Sequence, residues 1–248
     1  MKWRNHLDIA DAVADALELS PHRKEILRQA SVEPDKHGER VLHFDRRGEP
    51  YLRWMRHHHP EAEVIEAMAW KARYALLEGR EDDAVWCVGK ALHFLQDDCV
   101  SLGPLGTRHD RSELAISELR LSRETVVSGV RGAKVSVNFM RECLRSIRPS
   151  RDPMTALDRA ALFSGALAAS VLRGRNPERR LLSEWLATRR RFLLGVVPAS
   201  FALAIAAFVS SLLANEPMIT LIAFPALFAP FAYRRYWFLK EEMTWFGL

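Results

Sequence analysis

Cysteine is scarce. Cys87, Cys99 and Cys143 form no CxxC pair and no even framework, so a disulfide scaffold is excluded and a reducing compartment fits best. The opening run "MKWRNHLDIADAVADAL" lacks the uninterrupted apolar core of a secretory signal, and no export is expected. Histidine is absent after His109, and all nine lie between His6 and His109. From 192 to 215 there is no charged side chain at all. What is present excludes a disordered polymer: 48% of residues are hydrophobic and 27% charged, enough to bury a core over 248 residues. The net charge is +5, and the stretch from Arg141 to Arg191 is crowded with arginine. An anionic partner near the C-terminal half follows, either a membrane surface or nucleic acid.

The apolar periodicity is helical almost throughout. Leu7, Ala10, Val13, Ala14 and Leu17 predict a helix over 5–18, and Pro21 opens another over 21–30. "SVEPDKHGERVLHFDRRGEP" reads as a long polar loop. Pro60 starts a helix that runs to Gly79, and a further helix spans about 81–98. Residues 111–148 read as one long helix, or two broken near Gly129 or Gly132, and "TALDRAALFSGALAASVLRG" as an Ala-rich buried helix. A bilayer core of ~30 Å needs about 20 apolar helical residues, which 192–214 supplies. A second apolar stretch, 217–233, closes at Arg234 and Arg235 before a tail rich in Tyr, Trp and Phe. Three regions are therefore expected: a helical metal-binding domain over 1–150, Ala/Arg-rich connecting helices over 151–188, and a transmembrane helical hairpin with an interfacial aromatic tail over 189–248. Arginines flank both outer ends of the hairpin and none marks its tip, so the N-terminal domain is expected on the cytoplasmic side.

The octet "ALHFLQDD" sets His93 and Asp97 one helical turn apart in apolar surroundings. A buried imidazole or carboxylate is costly unless it is paired, hydrogen-bonded or bound to a metal. At i and i+4 both side chains leave one helix face and can share one ion. His109 and Glu113 repeat the arrangement just beyond a loop, and facing helices that each offer His and carboxylate build metal sites in helical bundles. Nitrogen and oxygen donors without thiolate suit catalytic zinc, ahead of manganese or iron. Upstream candidates are His6, the loop carboxylate Asp35 and the run His57-His58-His59. Taken singly, each of these is an ordinary polar residue, and His93 with Asp97 an ordinary buried hydrogen bond.

The order Trp3–xx–His6, then Pro34-Asp35, the triple histidine, "VGKALHFLQDDCVS" and His109-xxx-Glu113 resembles the zinc-dependent phospholipase C family, whose superfamily includes single-strand nucleases. The resemblance covers roughly residues 3–120. It implies an all-α multi-helix bundle with two or three zinc ions at the bottom of a cleft. Asp35, one of His57–His59 (His58 favoured), His93 and Asp97 would surround one or two ions, with Asp97 able to bridge. His109 and Glu113 would hold a further ion, with Trp3 and His6 closing the third site. Asp35 would act as ligand or base. The chain departs from the family at Gly103, where a histidine is usual and for which Asp98 or Asp110 could substitute. It departs again in carrying Met1 and Lys2 ahead of Trp3; a two-metal centre is the safer expectation.

Three functions stay open on these residues. The first is a membrane-tethered zinc-dependent phosphodiesterase acting on phospholipid headgroups. The second is a nuclease of the same superfamily, and the third a non-catalytic, metal-stabilised membrane protein. Buried core roles are expected for Cys87 and Cys99.

Overall fold

Glu81, Asp82 and Asp83 occupy the first turn of helix α5 (Glu81–Asp98), where negative charge meets the positive end of the helix dipole. The protein is described here from a computed structural model, over residues 1–37, 40–44, 50–54, 62–101, 114–174, 176–214 and 230–248. Those residues form two units, Met1–Arg175 and Asn176–Leu248. They are helical apart from one short hairpin.

In the first unit α5 is the central element. It packs against α4 (Ala62–Leu77), α2 (Pro21–Ala30) and α8 (Pro153–Leu172). Gly89 is what lets α2 approach: a Cβ there would stand 2.5 Å from Ala30 Cβ and 2.9 Å from the Leu27 carbonyl oxygen. This contact brings Ser31, just past the end of α2, against the middle of α5. A second close crossing joins α8 to α6 (Arg123–Gly132), where Gly129 faces the Leu162 carbonyl and Gly165 faces that of Val126. Helix α1 (Trp3–Ala16) packs on α2, α6 and α8, and α7 (Val137–Ser146) packs on α8.

Local signals set the helix ends. Ser20 and Asp152 stand before Pro21 and Pro153, and each accepts a backbone N–H three residues on. The buried Arg73 of α4 donates to the carbonyls of Val171, Arg173 and Gly174 at 2.9, 3.0 and 2.7 Å. It thereby pairs oxygens that the end of α8 leaves without helical partners.

Two expectations change. The stretch read as a loop contains a short helix, α3 (Glu33–His37), and two antiparallel strands, β1 (Arg40–Phe44) and β2 (Pro50–Trp54). Their register pairs Arg40 with Trp54 and Phe44 with Pro50. Cross-strand pairing satisfies this backbone, and five-residue strands are too short to carry a clear alternation. The connecting helices expected over 151–188 divide: α8 belongs to the first unit, because α4, α5, α6 and α7 pack on it, while the following helix belongs to the second. Of the stretch 111–148, expected as one long helix or two, the described part holds a helical turn at 114–117, then α6 and α7 with a break after Gly132 as in the two-helix alternative.

The second unit holds α9 (Arg179–Arg191), a wide π-helical turn at Phe192–Val196, α10 (Val197–Ala214) and α11 (Arg234–Trp245), with α9 packed on α11. Among the described residues two helices are long and apolar enough to cross a membrane, Pro153–Leu172 and Arg179–Leu213. The first is 67% buried and serves as a core helix, whereas the apolar window of the second is 17% buried. Residues 217–229 of the expected second hairpin arm lie outside the described residues.

Candidate metal centre

Three helices deliver four donors to one place. His93 and Asp97 come from α5, one turn apart; His6 comes from α1; Asp35 comes from α3. Both imidazoles are fully buried and Asp97 is 1% exposed. The Asp35 side chain keeps 18% exposure and forms the side nearest solvent. Ligand atoms of His6, Asp35 and His93 lie within 4.8 Å of one another.

The individual separations carry the chemistry. His93 Nε2 is 3.6 Å from Asp35 Oδ1 and 3.5 Å from Asp97 Oδ2, while His6 Nε2 is 3.4 Å from Asp97 Oδ1. Neither Nε2 makes a hydrogen bond. Two donors held at about 2.0–2.1 Å from a tetrahedral ion sit about 3.4 Å apart, so these spacings suit ligands of a shared cation. Asp97 presents one oxygen to each imidazole, the geometry of a bridging carboxylate.

Contacts behind the donors fix which nitrogen faces inward. His93 Nδ1 lies 2.9 Å from the Ser31 carbonyl, which can only accept, so Nδ1 carries the proton and Nε2 the lone pair. His6 Nδ1 lies 2.6 Å from Gln96 Oε1, and the Gln96 amide donates to Ser164 Oγ on α8 at 3.1 Å, which orients it as acceptor toward His6. The rings stack with centroids 4.4 Å apart. An imidazole whose outer N–H is held by a carbonyl-type acceptor is the arrangement that metal-bound histidines adopt.

The electrostatics agree. Burial pulls the His93 pKa down to about 3, and the neighbouring His6 adds to this while Asp97 opposes it. The ring is therefore neutral across the physiological range. Burial pushes the Asp35 carboxyl above the usual carboxylate range; His6 works against this, Asp97 reinforces it, and a hydrogen bond from Trp3 again opposes. Trp3 is half exposed at this edge, with the Lys36 ammonium 5.4 Å over its ring. The α-amino group of Met1 pairs with Asp97 Oδ1.

Among the residues singled out from the sequence, His6, Asp35, His93 and Asp97 meet. His58, His109 and Glu113 lie outside the described residues, as do Gly103 and Asp110. Asp98, half-buried at the end of α5, is not one of the converging donors. Gln96, Ser31 and Ser164 were missed. A glutamine inside an apolar helix, three residues after His93, was the available signal for the first; a backbone carbonyl leaves none. Cys87, Cys99 and Cys143 are buried, with burial pushing the Cys99 thiol up to about 12 and that of Cys143 up to about 11. Both of those are protonated at neutral pH and poor nucleophiles. Comparison with protein-family models, curated proteins and solved structures finds no match to this chain.

Proposed function

We propose that the chain is a membrane-attached, zinc-dependent phosphoric ester hydrolase whose centre is built on His6, Asp35, His93 and Asp97. One observation carries this reading. Two buried imidazoles have their outer nitrogens engaged and their inner lone pairs without a hydrogen bond, beside two carboxylates. A buried acceptor left in that condition costs ~1–3 kcal/mol, which a cation would offset. The donor set of nitrogen and oxygen without thiolate suits zinc at a catalytic rather than a closed structural site.

When bound, such an ion supplies Lewis-acid polarisation of a phosphoryl oxygen and lowers the pKa of bound water to about 7. The protein's own groups divide the remaining work. His6 and His93 hold position through Gln96 and Ser31 and stay rigid because they stack. Asp97 offers an oxygen to each side. Asp35 stands at the edge nearest solvent and its carboxyl accepts a proton more readily than an ordinary aspartate, so it suits the base that takes the proton from an attacking water. The outward apolar side chains of α10 favour phospholipid headgroups as substrate, since a bilayer anchor raises their local concentration. The arginines at both ends of the apolar stretch favour a cytoplasmic first unit.

A nuclease is the second reading, and the half-exposed Trp3 beside Asp35 favours it as a face on which a base could stack. Full-length protein, assayed with short-chain phosphatidylcholine and with single-stranded DNA alongside a zinc count, separates the two. Hydrolysis of the lipid supports the first reading; hydrolysis of DNA alone replaces it with the second. Zinc retained with neither activity leaves a metal-stabilised membrane protein, and the absence of zinc removes all three.

A further inference from the structure

At the junction of α9 and α10 the helix changes from arginine-rich to apolar, and aromatic rings gather there. Phe192, in the π-helical turn, stacks on Tyr236 at 3.8 Å with a 10° interplanar angle and lies parallel to Tyr233 at 6.0 Å. Tyr236 stacks in turn on Trp185 of α9 at 5.4 Å. Trp237 meets Phe192 edge-on and stacks with Phe231. The chain that departs at Phe192 therefore returns at Tyr233 to the same level.

Cations and rings interleave where the apolar run begins. Arg189, Arg190 and Arg191 precede the departure, Arg234 and Arg235 follow the return, and all five are exposed. Arg235 pairs with Glu184. Among them stand the rings, with the Trp237 indole donating to the Pro230 carbonyl at 3.2 Å and the Lys240 ammonium 5.0 Å over its face. Beyond them apolar side chains point outward: Leu194 is 71% exposed and Leu213 83%. Cations and amphipathic rings gathered at one end of an outward apolar run match the headgroup and interface region of a bilayer with its acyl chains beyond.

We propose that this collar binds acidic phospholipid headgroups in the leaflet that α10 enters, with the guanidinium groups of Arg189, Arg190, Arg191 and Arg234 pairing to lipid phosphates. Arginine forms two parallel hydrogen bonds to a phosphate, which lysine cannot. The proposal rests on reading 193–214 as immersed in the bilayer and is independent of the metal chemistry.

The test uses the full chain in detergent mixed with equal amounts of phosphatidylcholine and phosphatidylglycerol, with retained lipids counted by mass spectrometry. The unaltered protein is expected to retain phosphatidylglycerol preferentially. A single Arg→Gln change should lower the enrichment by up to about fivefold at low salt, and the four changes together should abolish it. Changing the same four arginines to lysine keeps the charge that sets topology, and should keep only part of the enrichment. Equal retention of the two lipids by the unaltered protein, or undiminished enrichment in the glutamine set, overturns the proposal. Recovery of the chain in solution without detergent would overturn the membrane reading itself.

Discussion

The two units break opposite rules of protein burial. The first buries polar groups: His6, His93, Gln96 and Asp97 sit at 0–1% exposure on α1 and α5. The second exposes apolar ones, with Leu203, Ile205 and Leu212 each more than half exposed on α10. Either arrangement is unfavourable for a bare chain in water. Under the proposed function one partner resolves each exception: a cation would satisfy the converging lone pairs, and a lipid phase would cover the outward leucines.

Removing the cation's donors should have the largest effect. The His93→Ala variant is expected to lose bound zinc and to reduce hydrolysis to background, read by metal analysis and a phosphodiester assay on the same sample. If zinc and rate both survive, the two units do not differ in the way described. On the apolar side, Leu203→Arg puts a charge near the middle of the exposed run. A central arginine costs ~2.5–3.5 kcal/mol on insertion, so the variant should leave the membrane fraction on alkaline extraction. Unchanged partitioning would mean that α10 is covered by protein.

A finer comparison lies within the first unit, between donors and the groups behind them. Gln96→Leu leaves all four donors in place but frees the His6 ring, and zinc affinity should fall about 10–100-fold. Gln96→Glu, which still accepts from His6 Nδ1, should restore much of it. Affinity unchanged in the leucine variant would reduce Gln96 to a packing residue.

Acid should act on the metal-free first unit through His93. Its folded pKa of about 3 lies below the ordinary 6.5, so the unfolded chain takes up a proton that the folded one refuses. Stability contributed by the neutral ring is present above pH 6.5 and is lost as pH falls toward 3. Asp35, shifted upward, works in the opposite sense. Chelated protein melted across that range should lose stability on acidification more steeply than His93→Gln does. The smallest effect is expected far from either anomaly. Asp152→Ala removes the acceptor of the Thr155 N–H at the start of α8 and should cost about 1 kcal/mol, seen as a modest drop in melting temperature with zinc content unchanged.

The sequence made parts of this legible for identifiable reasons. A helical period fixes the mutual placement of residues four apart, so His93 and Asp97 could be joined before any fold was known. Their meeting with His6 and Asp35 spans up to 91 positions and followed only from a resemblance in motif order; the structure brings these four together, and the phospholipase reading itself remains a proposal. The outer contacts were hidden because Ser31 acts through its carbonyl, and Ser164 reaches Gln96 only through the packing of α8 on α5. The strand pair at Arg40–Phe44 and Pro50–Trp54 was hidden by its brevity. Long uncharged runs needed no context, which is why the apolar helix beyond Arg191 stood out at once.

The direct test of the central claim is X-ray absorption at the zinc edge on the full chain, compared with His93→Ala. Coordination by imidazole nitrogen and carboxylate oxygen at about 2.0–2.1 Å, with fewer imidazoles or no bound metal in the variant, is the expected result. A spectrum identical in the two proteins, or one dominated by sulfur at about 2.3 Å, would contradict it.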